Sequence, residues 1–173
     1  AAMLLREVRF DVIKGNISEI AYLAEGIGTT KGVDANLDTL STEGNLRWHT
    51  DLARKVSTQT GAAIVISGPI DIVADSHEAW AIRNGHPMMA NITGTGCMSA
   101  GVIGCCVGAD PQALLPSCVC AMSAMGICGE LAYEKLLSVD GGSGTYRVLL
   151  MDAMSKLDGA TLTRRSKAER LRI

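Results

Sequence analysis

Ala63-Ile64-Val65-Ile66-Ser67 is a continuous apolar run of strand length. A run without alternating polar positions is typical of a central strand that is covered by other layers on both faces. On either side of it, short strand-like segments alternate with segments whose apolar residues have helical spacing. This alternation indicates an α/β fold with a mostly parallel central sheet.

Glycines and capping residues predict where the neighbouring elements end. Gly61 ends a helix of residues 46–60, and Lys14-Gly15 ends a strand of residues 10–13. Residues 1–8 resemble the second half of an amphipathic helix, so we expect the chain to be cut from something longer. The other predicted elements are a helix at 16–25, a polar loop at 29–43, a hairpin of 70–75 with 79–83, a helix ending at 107, a helical region at 110–137, a flexible joint at 141–144 and a final helix at 145–157.

A glycine-rich turn, Ile92-Thr93-Gly94-Thr95-Gly96-Cys97-Met98-Ser99-Ala100-Gly101, runs directly into a helix of small residues. Glycines let the backbone adopt positive φ and approach a ligand closely. The free N–H groups at the start of the helix, together with the positive end of its dipole, then form an anion site. Phosphate chemistry is therefore the first functional hypothesis.

Cys97 lies in the first turn of that predicted helix and has two interpretations. As a structural residue it packs beneath the turn; as a functional residue it meets the bound anion and takes a proton from an incoming hydroxyl. Phosphoryl transfer has a loose transition state, so positioning and charge stabilisation do most of the catalysis and a weak base suffices. The sequence contains no Walker motif.

Two further candidate segments follow predicted strands, namely Lys14-Gly15-Asn16-Ile17-Ser18-Glu19 and Ser67-Gly68-Pro69-Ile70-Asp71. Ligands of open α/β sheets bind beyond the carboxyl ends of the strands, so these segments and the glycine turn are expected to share one ligand. Asn16 and Glu19 fit a capping box, and beside a phosphate Glu19 is also suited to organise Mg²⁺. Ser67 fits either a turn former or a ligand contact.

Composition excludes several classes of protein. The 173 residues are 47% hydrophobic and 20% charged with a net charge of −2, which predicts a globular domain. Residues 161–173 form a basic tail with five basic residues, one acid and no aromatic, which indicates a solvated, partly frayed helix end and no nucleic-acid binding. Uncharged stretches at 87–109 and 113–129 are rich in glycine and small residues and lack an aromatic belt, which favours buried helices and no membrane span.

The six cysteines form no C-x-x-C pair and lie away from the histidines, so zinc spacing is absent. We expect all of them except Cys97 to be small core residues. Neither a signal peptide nor the composition of a disulfide scaffold is present, which predicts a cytoplasmic protein.

Four motifs in this order resemble hydroxyethylthiazole kinase, a ribokinase-like family of thiamine salvage: Lys14-Gly-Asn-Ile-Ser-Glu19, Ile66-Ser-Gly-Pro-Ile-Asp71, Arg83-Asn-Gly-His-Pro-Met-Met89 and Thr93-Gly-Thr-Gly-Cys97. Most ribokinase-like enzymes carry Asp at the end of the glycine turn, whereas the thiazole kinases typically carry Cys. The resemblance implies a three-layer α/β/α sandwich that here lacks its N-terminal part. It places residues 1–160 in the C-terminal portion of the kinase domain and leaves the tail 161–173 unassigned.

The resemblance also implies an activity, namely phosphorylation of 4-methyl-5-(2-hydroxyethyl)thiazole with ATP and Mg²⁺. It implies that Lys14 and Ser67 contact ATP and that Glu19 works on the metal and phosphates. Gly94, Thr95 and Gly96 would form the anion hole, with Gly94 also bordering the thiazole and Cys97 as the catalytic base. Family members are homotrimers with the substrate site between subunits, which predicts a homo-oligomer here.

Three alternatives remain open at this point. One is a ribokinase-like kinase for another small alcohol, such as hydroxymethylpyrimidine. A second is a non-catalytic fragment that binds nucleotide or mediates oligomerisation. The third, a thiol-based hydrolase, is the poorest, because no histidine lies within motif distance of Cys97.

Overall fold

A computed structural model describes residues 2–26 and 42–172 and divides the chain into two compact units. The first unit is Ala1–Ala81 with Glu169–Ile173, and the second is Ile82–Ala168. Most of the predicted polar loop at 29–43 lies outside the described residues.

The first unit is built on an open sheet with the strand order β1-β2-β3-β4-β5. Strand β1 pairs with β2 in parallel, and β2 pairs with β3 antiparallel, so the sheet is mixed. The α/β class is confirmed. The elements are α1 (Ala2–Glu7), β1 (Val12–Asn16), α2 (Ile17–Gly26), α3 (Leu46–Thr60), β2 (Ala63–Ser67), β3 (Asp71–Ala74), β4 (Ala79–Ile82) and β5 (Ala168–Arg170).

The predicted bounds of α3 and β2 are both confirmed. Gly61 adopts φ +74°, and its N–H donates to the Ser57 carbonyl at 2.8 Å, which ends α3 in the left-handed conformation that glycine tolerates. Ile64, Val65 and Ile66 of β2 are fully buried, as expected for a strand covered on both faces. The apolar faces of α2 and α3 complete this core.

The second unit is helical and centres on one long helix. Its elements are a 3-10 helix (Pro87–Asn91), α4 (Thr95–Ala109), α5 (Leu114–Leu136), α6 (Ser143–Lys156) and α7 (Gly159–Arg165). Tyr146 of α6 is fully buried against α5, where its hydroxyl donates to the Gly129 carbonyl at 2.9 Å. That hydrogen bond satisfies the one polar atom that a buried tyrosine brings into an apolar core.

The prediction that the basic tail is a frayed helix end was wrong, and 145–157 is not the final helix. Residues 159–165 form α7, and 168–170 form β5, next to β4 in the sheet, with the Leu171 N–H donating to the Ala79 carbonyl at 2.8 Å. Three of the five basic side chains are held by acidic partners remote in sequence, in the pairs Arg165–Glu134, Lys167–Glu130 and Arg170–Glu78. Local sequence cannot show such partners, so the charges suggested a solvated segment.

The two uncharged helices differ in burial. Helix α5 is mostly buried, as predicted, although among the described residues it is the one helix long and apolar enough to cross a membrane. The prediction that α4 is also buried was wrong, because only Ser99 and Ile103 of that helix are buried. Cys118 and Cys128 are core residues as expected, whereas Cys105 is exposed on α4, contrary to expectation.

Candidate functional site

The ends of β1 and β2 bring Lys14 and Ser67 into contact. The two strands run in parallel register, so Asn16 and Ser67 are cross-strand partners at the carboxyl edge of the pair. The Lys14 ammonium donates to Ser67 Oγ at 3.3 Å, and Ser67 Oγ lies 3.4 Å from the Gly15 carbonyl oxygen to which it donates. This edge therefore presents a cation beside a hydroxyl, a pair suited to phosphate oxygens.

Asn16 and Glu19 form the predicted capping box at the start of α2. The Glu19 N–H donates to Asn16 Oδ1 at 2.9 Å, and the Asn16 N–H donates to Glu19 Oε2 at 2.7 Å. Gly15 makes room for this fold-back, since a Cβ at Gly15 would lie 3.0 Å from Glu19 Oε2. The structural interpretation of Glu19 is thus confirmed, and its metal role stays a prediction.

The donor set at this edge suits a metal that is held mainly by phosphates. Within residues 2–26 and 42–172, no group of three or more His, Cys, Asp and Glu side chains could hold an ion. Mg²⁺ at phosphoryl-transfer sites uses one or two carboxylates together with substrate phosphates and water. The exposed carboxylate of Glu19, whose cap uses Oε2, fits that mode.

Asp71 lies close to Lys14, and the sequence pattern predicted no role for it. Its carboxylate is buried at the start of β3, where Oδ1 accepts a hydrogen bond from the Gly68 N–H at 2.9 Å. Burial raises the pKa of Asp71 to about 7, although this hydrogen bond and the charge of Lys14 act in the opposite direction. Asp71 thus holds the loop that follows Ser67, and the signal for it was an aspartate three residues after a glycine at a strand end.

The glycine turn has the predicted backbone form. Gly94 adopts φ +100°, which L side chains rarely tolerate, and its carbonyl accepts from the Met98 N–H at 2.8 Å to begin α4. No described side chain caps this helix, so the N–H groups of its first turn are available to an anion. Cys97 is exposed in that turn, which contradicts the interpretation that it packs beneath the turn.

The candidate residues fall into two sets. Lys14, Glu19 and Ser67 lie together in the first unit, while the segment from Gly94 through Thr95 and Gly96 to Cys97 lies in the second. That both sets act on one ligand stays a prediction.

A family model described as the hydroxyethylthiazole kinase family matches residues 1–160, which contain both sets. The chain belongs to the hydroxyethylthiazole kinase family. The matched range includes all seven residues that the resemblance singled out, Cys97 among them.

Relatives with this name are similar along nearly the whole chain. A hydroxyethylthiazole kinase of Desulfovibrio desulfuricans is 50% identical over 98% of the chain, and one of Clostridium acetobutylicum is 45% identical over 94%. The chain covers 62% and 59% of these two proteins, so it spans about three fifths of their length.

A solved structure of the Pyrococcus horikoshii hydroxyethylthiazole kinase protein superposes with a TM-score of 0.73 at 22% sequence identity. The match covers 94% of this chain and 55% of the other. The fold is therefore that of the corresponding part of a hydroxyethylthiazole kinase.

Proposed function

We propose that this chain is the catalytic portion of an ATP-dependent kinase that phosphorylates the hydroxyl of 4-methyl-5-(2-hydroxyethyl)thiazole in thiamine salvage. The observation that carries the proposal is the uncapped glycine turn with an exposed Cys97 in the first turn of α4, within a chain of this family. A turn of this kind suits the charge that develops on a transferring phosphoryl group.

Each residue has a defined part in the proposed reaction. Lys14 and Ser67 hold phosphate oxygens of ATP, and the N–H groups of Thr95, Gly96 and Cys97 stabilise the transferring phosphoryl group. The alcohol oxygen forms a bond to the terminal phosphorus as the bridging P–O bond of ATP breaks and ADP leaves, and Cys97 Sγ, in its thiolate form, takes the hydroxyl proton. Because the transition state is loose, orientation and charge stabilisation supply most of the rate.

Mg²⁺ would neutralise phosphate charge, with Glu19 holding the ion or its waters. We expect Glu19→Gln to raise the Mg²⁺ concentration needed for half-maximal activity by about tenfold, as loss of a residue supporting a metal commonly does. The glutamine still completes the capping box, so thermal unfolding should remain close to that of the original protein. A Mg²⁺ titration of activity checks this. An unchanged requirement would leave Glu19 with only its capping role.

We also propose that the protein is a cytoplasmic homotrimer. The exposed faces of α4 carry no charged residue, and an uncharged helix face of small residues suits close packing between subunits. The trimer follows from the family resemblance and is supported by this surface, and the location is supported by the six cysteines, which are free thiols.

Hydroxymethylpyrimidine is the competing substrate, and a non-catalytic nucleotide-binding piece is the competing role. We expect the thiazole alcohol to be phosphorylated in preference to the pyrimidine alcohol when both are supplied with ATP and Mg²⁺. Preferential pyrimidine phosphorylation would reassign the substrate. ATP binding without turnover of either alcohol by the folded, complete gene product would support the non-catalytic role.

A further inference from the structure

One face of α5 packs closely against residues 84–89, the segment that precedes the glycine turn. Gly126, Gly129 and Glu130 lie at i, i+3 and i+4 spacing and share this face. A Cβ at Gly126 would lie 2.6 Å from the Asn84 carbonyl, and a Cβ at Gly129 would overlap Met89 Sδ. Gly126 therefore allows a backbone approach that no larger residue permits, whereas a side chain at Gly129 would require the flexible Met89 side chain to shift.

Glu130 makes the central hydrogen bonds of this contact. Its Oε1 accepts from the Gly85 N–H at 3.1 Å, from Asn84 Nδ2 at 3.2 Å and from Lys167 Nζ at 2.9 Å. The Glu130 side chain is 14% exposed, so these donors compensate a carboxylate that is largely removed from water.

Asn84 extends the network to the basic tail. Its side chain is buried, Oδ1 accepts from the Lys167 N–H at 2.7 Å, and Nδ2 donates to the Arg165 carbonyl at 2.9 Å. One amide thus ties residues 165–167, which lie beyond the 1–160 family match, to the Arg83-Asn-Gly-His-Pro-Met-Met89 motif.

The same segment leads directly into the turn. His86 caps the 3-10 helix Pro87–Asn91, with Nδ1 accepting from the Met88 N–H at 3.1 Å. At the other end of that helix, the Met89 carbonyl accepts from the Ile92 N–H at 3.4 Å and from Thr95 Oγ1 at 3.5 Å. Hydrogen bonds and the 3-10 helix therefore link Glu130 to the start of α4.

We propose that Glu130 is a positioning residue for the anion turn, acting through Gly85 and the 3-10 helix on Gly94 to Cys97. The role rests on the proposed function, because it presumes that this turn binds the transferring phosphoryl group. In this account the Asn-Gly-His-Pro part of the motif has a structural role. It fixes the position and direction of the N–H groups at the start of α4.

The test compares Glu130→Ala with Glu134→Ala, a matched control on the same helix. Glu134 lies one turn further along and holds the same tail through a bidentate pair with Arg165 at 2.7 and 2.9 Å, but it makes no contact with Gly85 among the described hydrogen bonds. We expect Glu130→Ala to lower kcat 10- to 100-fold with little change in the KM for ATP, as small misplacements of a reacting geometry do. Glu134→Ala should keep kcat within about twofold, as expected of a solvent-exposed pair.

A second readout does not depend on turnover. Hydrogen exchange of the Ile92 and Met98 amides, which donate to the Met89 and Gly94 carbonyls, should be about tenfold faster in Glu130→Ala and unchanged in Glu134→Ala, because only the first variant frees the turn for local opening. Glu130→Gln keeps an acceptor for the Gly85 N–H and should restore both readouts to near the original values.

The outcomes separate this role from the proposed function. Equal exchange at 92–98 in Glu130→Ala and Glu134→Ala overturns the positioning role, whether or not the protein is a kinase. Faster exchange only in Glu130→Ala supports it even if the thiazole alcohol is not the substrate. If Glu130→Ala does not fold, Glu130→Asp keeps the charge but withdraws the acceptor from the Gly85 N–H, and we expect a smaller increase in exchange at 92–98. No increase in that variant overturns the role.

Discussion

Replacing Cys97 with alanine is expected to lower kcat for the thiazole alcohol by at least about 100-fold, the usual contribution of a general base. The thiol is exposed in the first turn of α4, beside uncapped N–H groups that would hold the phosphoryl group. Removing it deletes the proposed proton acceptor without opening a cavity, because the side chain is not part of the core. Steady-state kinetics with both substrates saturating give the comparison.

Cys97→Asp should retain or raise activity, because a carboxylate is the base that most ribokinase-like enzymes carry at this turn. Cys105→Ala is the control, since it removes another exposed thiol from the same helix and should leave kcat unchanged. A dead Cys97→Asp together with an active Cys97→Ser would show that Cys97 is not the base.

Asp71→Asn is expected to make the protein more stable at neutral pH, in contrast to most changes at buried polar residues. In the folded protein, burial raises the pKa of Asp71 to about 7, from 3.8 for a free aspartate. Between these two values the unfolded chain has released a proton that the folded chain still binds, so the free energy of unfolding falls as pH rises. At 1.36 kcal/mol per pKa unit, the loss at and above pH 7 is about 4 kcal/mol.

Asparagine does not titrate, so the advantage of Asp71→Asn should be small near pH 4, grow up to pH 7 and then level off. Urea unfolding at several pH values measures it, with Asp51→Asn, an exposed carboxylate on α3, as the control. A stability advantage that stays constant between pH 4 and 8 would contradict the conclusion that burial raises the pKa of Asp71.

Asp71→Asn also changes the surroundings of the candidate site, because Asp71 holds the loop next to Ser67 and faces the charge of Lys14.

Local chemistry made much of the fold predictable from sequence. Gly61 and the apolar run 63–67 gave the bounds of α3 and β2, since a left-handed cap and an unbroken apolar strand leave few alternatives. The turn at Gly94 and the capping box of Asn16 with Glu19 are equally local, and both were predicted.

Tertiary partners explain what the sequence did not predict. The tail seemed solvated because Glu130, Glu134 and Glu78, which hold three of its five basic residues, are distant in sequence. The burial of Asp71 depends on packing around β3, which a single aspartate after a turn does not reveal. Helix α4 shows the opposite error. Its lack of charge predicted burial, but few of its residues are covered by the rest of the described chain.

The most direct test of the central claim is the ATP-dependent conversion of 4-methyl-5-(2-hydroxyethyl)thiazole to its phosphate by the complete gene product. Mass spectrometry of the product, with hydroxymethylpyrimidine in a parallel reaction and Cys97→Ala as the control, identifies the acceptor and ties turnover to the anion turn. We predict rapid formation of the thiazole phosphate, slow or no formation of the pyrimidine phosphate, and loss of turnover in the control. A folded protein that binds ATP but forms no thiazole phosphate would contradict the proposed function.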